Sequence, residues 1–380
     1  MQHLADLILE NPSAFRDRVH EDFYTRILEA RQIFGFRMAE THVDMAPALA
    51  WYLQHCSEDG VPNAHARERI AFLGRDHRRH GFPPAAFAAF SQSLMAGLKP
   101  FELSDAASHA AQRAFTELAA LLSGAAEEAD LAGTPPAHQA QVVDVVRPNR
   151  ELALVRLESA MPIDFAPGQY FPVTSKFLPG TWRHLTPAAP ATSTGQLEFH
   201  VRGVGDASRT LARAQVGDTW TLGAPRGEFA HTLGDGDYPV FLCFGVGWAA
   251  VRTWLLAQVE AATETPADIE CSLYSVAPSP GHHYDTTVLD NLAALNPDMR
   301  VHLLVDAAED PLLLGATEPD VYCEPTNDPV MTMLSREDAH GSRFILVGPE
   351  ARVTDAAAKL RAAGITAVEA HPWGRTSHSF

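Results

Sequence analysis

The chain has 380 residues, 46% of them apolar and 20% charged, so it is long enough for two or three folded domains and too apolar for a disordered chain. Its formal charge of −18 excludes general nucleic-acid binding and docking on an acidic membrane surface, since both need clustered Lys and Arg. No apolar run reaches the length of a membrane span, and the four scattered cysteines contain no Cys-x-x-Cys pair, which reads as buried thiols in a reducing compartment rather than a zinc or iron–sulfur site.

Residues 1–132 carry helical spacing. Apolar residues recur at three- and four-residue intervals in Phe23, Ile27 and Leu28, and further apolar runs lie at Ala48 to Leu53, Ile70 to Leu73, Phe87 to Leu98 and Ala110 to Ala126. Breakers divide these runs at Gly60-Val-Pro62, Gly81-Phe-Pro-Pro84 and Lys99-Pro100. The N-terminus has no basic region ahead of a long apolar run, so no signal peptide is expected and a cytoplasmic location is predicted. Leu131-Ala-Gly-Thr-Pro-Pro-Ala137 reads as a linker.

From 137 to 235 the pattern changes to short β-branched runs divided by turn residues. Val142–Val146, Leu152–Leu157, Gln169–Val173, Gln196–Val201 and Thr219–Leu222 predict a small antiparallel β-barrel. From 236 to 380, strands at Val240–Phe244, Ile269–Tyr274, Val301–Val305 and Arg343–Val347 alternate with helices at Ala249–Ala262 and Ala351–Ala363. That alternation predicts a doubly wound parallel α/β sheet. The fold class is therefore multidomain: all-α, then β-barrel, then α/β.

Several short motifs stand where chemistry would need them. Gly245-Val-Gly247 follows a buried strand and opens a helix, a setting in which glycine lets a pyrophosphate approach the backbone. Gly205-Asp-Ala-Ser208 opens another helix, and by itself reads as an ordinary cap. Arg183, Arg202 and Arg209 are basic residues placed to hold anionic cofactors. His77 follows the apolar run Ile70-Ala-Phe-Leu73 on one helix. Among arginines, a histidine reads by itself as a solvated residue, as His80 does, while a lone imidazole on a helix beside an apolar run is also what a haem iron takes.

Phe23-Tyr24, Phe72-Leu-Gly-Arg-Asp-His77, Pro167-Gly-Gln-Tyr170 and Gly245-Val-Gly247 together give the whole chain its resemblance to a flavohaemoglobin, a globin followed by a ferredoxin–NADP reductase-like module. The resemblance implies a globin-like haem domain at 1–132, an FAD-binding barrel at 137–235 and an NAD(P)-binding domain at 236–380. It implies haem b held by His77, with Tyr24 hydrogen-bonding iron-bound dioxygen, Leu49 packing nearby, and Phe34 or Phe36 wedged against the porphyrin. Tyr24 as an amphipathic rim residue, and Phe34 or Phe36 as ordinary core, stay open. FAD would be held by Tyr170, by Arg183-His184-Leu185-Thr186, and by Gly205 and Ser208. NAD(P)H would meet Gly245, Gly247, Gly348 and Pro349, and His371 or Trp373 would cover the flavin.

The chain departs from that pattern at working positions. Met45 stands where the family has a distal glutamine, and a thioether donates no hydrogen bond. Phe87 replaces the tyrosine that supports the proximal histidine, so the electron push on bound dioxygen falls unless Glu127 or Glu128 reaches His77. Arg183-His184-Leu185-Thr186 replaces an Arg-x-Tyr-Ser segment and loses the stacking aromatic, for which His184 or Trp182 would substitute. Ala249-Ala250 replaces a Thr-Pro pair, Trp248 adds bulk to the turn, and Val347 replaces a cysteine expected near the nicotinamide.

The resulting expectation is an oxidoreductase that passes electrons from NAD(P)H through FAD to haem-bound dioxygen, with nitric oxide oxidised to nitrate. The alternatives are a haem and flavin enzyme with another donor or acceptor, such as a hydroperoxide or an organic hydroxy acid, and a gas or redox sensor. Small-molecule substrates, no nucleic acid, no membrane span, and a monomer or weak dimer complete the reading.

Overall fold

A computed structural model describes residues 1–28, 45–234, 236–261, 269–309 and 323–373. The chain divides into two compact units, Met1–His138 and a second beginning at Gln139. Phe34 and Phe36 lie outside the described residues.

The described part of the first unit is helical: α1 (Gln2–Glu10), α2 (Pro12–Arg26), α3 (Met45–Gln54), α4 (Ala64–His77), α5 (Ala86–Leu98) and α6 (Asp105–Leu131). Side-chain caps start three of them, with Asn11 accepting from Ala14 N–H at 3.2 Å, Asn63 from Ala66 N–H at 2.9 Å and Ser104 from Ala107 N–H at 3.3 Å. Pro12 sits at the first position of α2, where its missing N–H costs nothing. Gly81, at φ 71°, closes the short turn that follows α4. No described helix is long and apolar enough to cross a membrane.

Two helix crossings are close enough to demand glycine. A Cβ on Gly74 of α4 would lie 2.4 Å from the Leu122 carbonyl oxygen of α6, and one on Gly97 of α5 would lie 2.7 Å from Val19 of α2. Phe15, Phe23 and Phe115 fill the core between these helices, and Tyr52 buries its ring there while its hydroxyl donates to the Ala114 carbonyl at 2.9 Å.

The second unit opens with six antiparallel strands, β1 (His138–Val146), β2 (Leu152–Ser159), β3 (Phe171–Ser175), β4 (Arg183–Leu185), β5 (Gln196–Arg202) and β6 (Thr219–Leu222), with the short α7 (Asp206–Ala212) between the last two. Their order is β4-β3-β6-β1-β2-β5. The two outer strands meet where Pro187, just past β4, bridges Phe199 of β5, so the sheet nearly closes on itself. Phe171, Phe199 and Trp220 fill its interior.

After Tyr238 the chain forms a parallel sheet: β7 (Tyr238–Phe244), α8 (Trp248–Ala261), β8 (Cys271–Ala277), α9 (Thr286–Leu295), β9 (Met299–Val305), β10 (Glu324–Pro325), α10 (Pro329–Leu334), β11 (Ser342–Pro349), α11 (Glu350–Ala362) and β12 (Val368–Trp373). The order β10-β9-β8-β7-β11-β12 reverses direction between β7 and β11. Ligands of such sheets bind beyond the strands' carboxyl ends at this reversal. Strands buried on both faces explain the continuous apolar runs, as in β8, whose seven residues are all buried.

Candidate functional site

The reversal point brings the expected dinucleotide residues together. Gly245–Gly247 form a tight turn at the end of β7, and Gly348 and Pro349 end the neighbouring β11. A Cβ on Gly247 would sit 2.6 Å from the Val347 carbonyl oxygen and 3.1 Å from the Trp373 ring, while one on Gly348 would sit 2.7 Å from Phe244 Cβ. These glycines therefore permit close packing of two strand ends. Gly245 differs: its φ of 58° needs glycine, yet the nearest atom to a Cβ there is the Arg202 guanidinium at 3.9 Å. The space above Gly245 is open and faces a cation.

Trp248 does not crowd this turn as the sequence led us to expect. Its side chain is buried, with the indole N–H donating to Asp285 at 3.0 Å, because the first residue of α8 faces the core of the sheet rather than its edge.

On the barrel, Pro167-Gly-Gln-Tyr170 is a built turn. Tyr170 exchanges both backbone hydrogen bonds with Arg226 at 2.9 Å, and Gln169 donates to the Gly227 carbonyl at 3.0 Å. Gly227, at φ 81°, leaves room for the Tyr170 ring, and Gly168 leaves room for Phe229. The Tyr170 and His184 rings lie 4.9 Å apart, and Arg183 and His184 are exposed. Of the two candidates for a stacking ring, His184 and Trp182, His184 is the one seen beside Tyr170. Leu185 and Thr186 are half-buried at the end of this strand. Ser208 Oγ accepts from the N–H groups of Val204 and Gly205 at 3.1 and 3.0 Å, so in this structure its hydroxyl braces its own turn. A Cβ on Gly205 would meet nothing within 4 Å, and its φ of −123° suits any residue.

β12 carries a feature that sequence reasoning reached only in part. The buried carboxylate of Glu369 accepts from His371 Nε2 at 2.6 Å, His231 Nδ1 at 3.1 Å, and the Thr232 hydroxyl and N–H at 2.5 and 3.1 Å. Burial alone would raise its pKa, but these bonds hold it below the usual carboxylate range. Burial lowers His371 despite the pull of Glu369, and its ring lies 4.9 Å from Phe229. His231 and Thr232 gave no sequence signal. Trp373 lies against Gly247, and His371 against Phe229, so the two candidate covering rings occupy different places.

In the first unit His77 ends α4 half-buried, and its Nδ1–H donates to the Leu73 carbonyl at 2.9 Å. That bond fixes the tautomer whose Nε2 carries the lone pair, the form a metal takes. Phe87 stands 6.1 Å from the His77 ring, centre to centre, and His80 stands at 5.9 Å. Glu127 and Glu128 are both exposed on α6. The bond seen at His77 Nδ1 is to the Leu73 carbonyl, one helical turn away on the same element. From Phe87 a run of ring contacts at 5.6–5.7 Å passes through Phe82 to Phe23, which neighbours Tyr24 at 6.3 Å. Tyr24 and Leu49 are buried, and Met45 is half-buried at the start of α3.

His20, one turn before Tyr24 with rings 5.6 Å apart, was missed entirely. Burial, helped by Arg16 and opposed by Asp17, lowers its pKa from 6.5 to about 4. Between those values the unfolded chain binds a proton that the folded chain refuses. The stability owed to a neutral His20 is therefore complete above 6.5 and falls as pH drops towards about 4. We predict that His20→Leu flattens the fall of the urea midpoint over that window; an unaltered slope would contradict it.

A family model described as the oxidoreductase FAD-binding domain matches residues 140–231. The phenol hydroxylase P5 protein of Acinetobacter pittii (strain PHEA-2) is 29% identical over 126 residues, covering 32% of this chain and 35% of that protein. The ferredoxin–NAD(P)(+) reductase component of the naphthalene 1,2-dioxygenase system of Pseudomonas putida is 29% identical over 185 residues, covering 47% and 54%. The chain thus spans about a third to a half of the length of these curated relatives. The flavohemoglobin of Malassezia yamatoensis, solved with bound FAD and heme, aligns over 97% of this chain and 98% of its own at TM-score 0.66 and 18% identity, a likeness of fold. Residues 140–231 are an oxidoreductase FAD-binding domain, followed by a parallel α/β sheet in the ferredoxin reductase-like arrangement.

Proposed function

We propose that the protein is an NAD(P)H-dependent oxidoreductase that passes electrons through FAD to a haem held by His77, and that it uses dioxygen to oxidise nitric oxide to nitrate. The donor set fits both groups. For FAD, the pair of the half-buried Tyr170 and exposed His184 rings offers stacking surface, and the exposed Arg183 offers charge for a pyrophosphate. For haem, the Leu73-bound tautomer of His77 offers Nε2 as the ligand atom. FAD converts a two-electron donor into single electrons, and haem supplies a redox-active iron.

The chain's own residues would do the rest. Gly245, under the Arg202 guanidinium, admits the dinucleotide's phosphates at the sheet reversal. The Phe229 and His371 rings, 4.9 Å apart, would lie beside the flavin and limit the water there. Tyr24 is the polar group that would donate to a small polar ligand. The observation that carries the haem part is His77 at the end of α4 with Nδ1 committed to Leu73. Without it the chain would read as a reductase alone. That second reading, delivery of electrons to a separate acceptor, is favoured by the reductase component from Pseudomonas putida among the relatives.

The absorption spectrum of the purified full-length protein tests both. We expect a Soret band and a flavin band, both changed by NADH or NADPH without air, and aerobic consumption of nitric oxide well above the free-flavin rate. A flavin band alone would leave the reductase reading; no flavin band would end both.

A further inference from the structure

The second unit holds a buried charged cluster that the site described above does not use. Arg252, on the second turn of α8, is 9% exposed. Its Nε donates to Asp285 at 2.8 Å, its Nη1 donates to the Ala188 carbonyl, and its Nη2 lies 3.6 Å from Glu198 of β5. Thr253 donates to the Pro187 carbonyl at 2.5 Å. Glu198 also accepts from Arg156 Nε at 2.8 Å and from His200 Nε2 at 3.1 Å, and His200 Nδ1 accepts from the Tyr284 hydroxyl at 3.0 Å. Asp285 holds a left-handed backbone at φ 60° and also accepts from the Trp248 indole.

The placement of these bonds is what matters. Pro187 and Ala188 directly follow the segment Arg183–Thr186, and Trp248 directly follows Gly247. One guanidinium therefore ties the strand expected to carry the flavin to the helix that begins at the dinucleotide turn. Burying such charges is seldom the cheapest route to stability, because an apolar cluster of similar volume is often as stable or more so. A planar fork with five fixed donors does supply what an apolar cluster lacks, a set distance between two elements.

We propose that Arg252 is a positioning residue for hydride transfer, holding the dinucleotide turn at a fixed distance and angle from the flavin strand. This rests on the NAD(P)H–FAD reading above. In that transfer a C–H bond of the dihydronicotinamide breaks, and the hydride carries its electron pair to the flavin, oxidising the first ring and reducing the second. Arg252 exchanges no proton in it. A displacement of about 1 Å between such partners costs roughly 100-fold in rate.

The experiment uses full-length protein isolated with its flavin and mixed with NADH or NADPH without air. With Arg252→Met, the limiting rate of flavin bleaching falls roughly 10- to 100-fold. Flavin content and the NAD+ dissociation constant stay within about twofold of the parent, and the isotope effect with 4-deuterated NADH rises. Arg252→Lys, which keeps charge but loses the fork, recovers part of the rate and carries the comparison if the Met variant does not fold. Arg343→Met, which breaks the 2.6 Å pair with Asp237 elsewhere in the sheet, leaves the rate unchanged. An unchanged limiting rate in both Arg252 variants, or an equal fall in Arg343→Met, overturns the proposal. A parent protein that neither dinucleotide bleaches overturns the reductase reading and this proposal with it.

Discussion

Replacing His77 with alanine is expected to give a full-length protein that is still yellow but has lost its Soret band. His77 Nδ1 is bound to the Leu73 carbonyl within its own helix, and the close packing of α4 on α6 is made at Gly74, three residues away, which the substitution does not touch. The loss should therefore fall on metal binding rather than on folding. Retention of haem should drop by at least about tenfold, the scale seen when even a supporting partner of a metal ligand is lost. Free imidazole, small enough to enter the vacated space, should restore part of the band. If the alanine variant keeps the parent spectrum, His77 is not the ligand; if the band then disappears in His80→Ala, the assignment moves one turn along the chain.

Gly247→Val should produce the second large effect, this time in the other unit. Even the first carbon of the new side chain would lie 2.6 Å from a backbone oxygen of β11 and 3.1 Å from the Trp373 ring. Neither neighbour is the free end of a flexible chain, so the turn itself must move away from Gly348. Overpacking of this kind costs about 1–3 kcal/mol. A shift of about 1 Å at the dinucleotide turn should slow bleaching of the flavin by NADH roughly 100-fold, with flavin still bound through the barrel. Gly245→Ala makes a useful contrast in stability: its Cβ meets only a guanidinium at 3.9 Å, so the folding penalty comes from a φ of 58° and should be milder. A Gly247→Val protein as stable and as rapidly reduced as the parent would show that the two strand ends do not share a working turn.

Much of the architecture is readable along the chain. Helical spacing between the breakers at Gly60, Gly81 and Pro100 yields helices near the expected runs, and β-branched runs yield strands, because these signals depend on residues within a few positions of one another. Boundaries shift by a few residues; β8, for instance, begins at Cys271 and extends to Ala277 rather than ending at Tyr274. The strand–turn–helix setting of Gly245–Gly247 was equally legible, since a continuous apolar strand ends directly at the glycines.

Other features needed the tertiary structure. The direction of Trp248 depends on Asp285, 37 positions away, and the reach of Arg252 on Ala188, 64 positions away. His231 joins Glu369 across 138 positions, and the barrel nearly closes through a single bridge between Pro187 and Phe199. A lone arginine in the otherwise apolar start of α8 was the one visible hint of the buried cluster. Periodicity fixes which face of an element is buried, because burial repeats with the geometry of the helix or strand. It does not say which distant carboxylate or carbonyl waits on that face, because such partners are chosen by strand order, here the reversal between β7 and β11, and by the few ångströms of clearance that each glycine leaves.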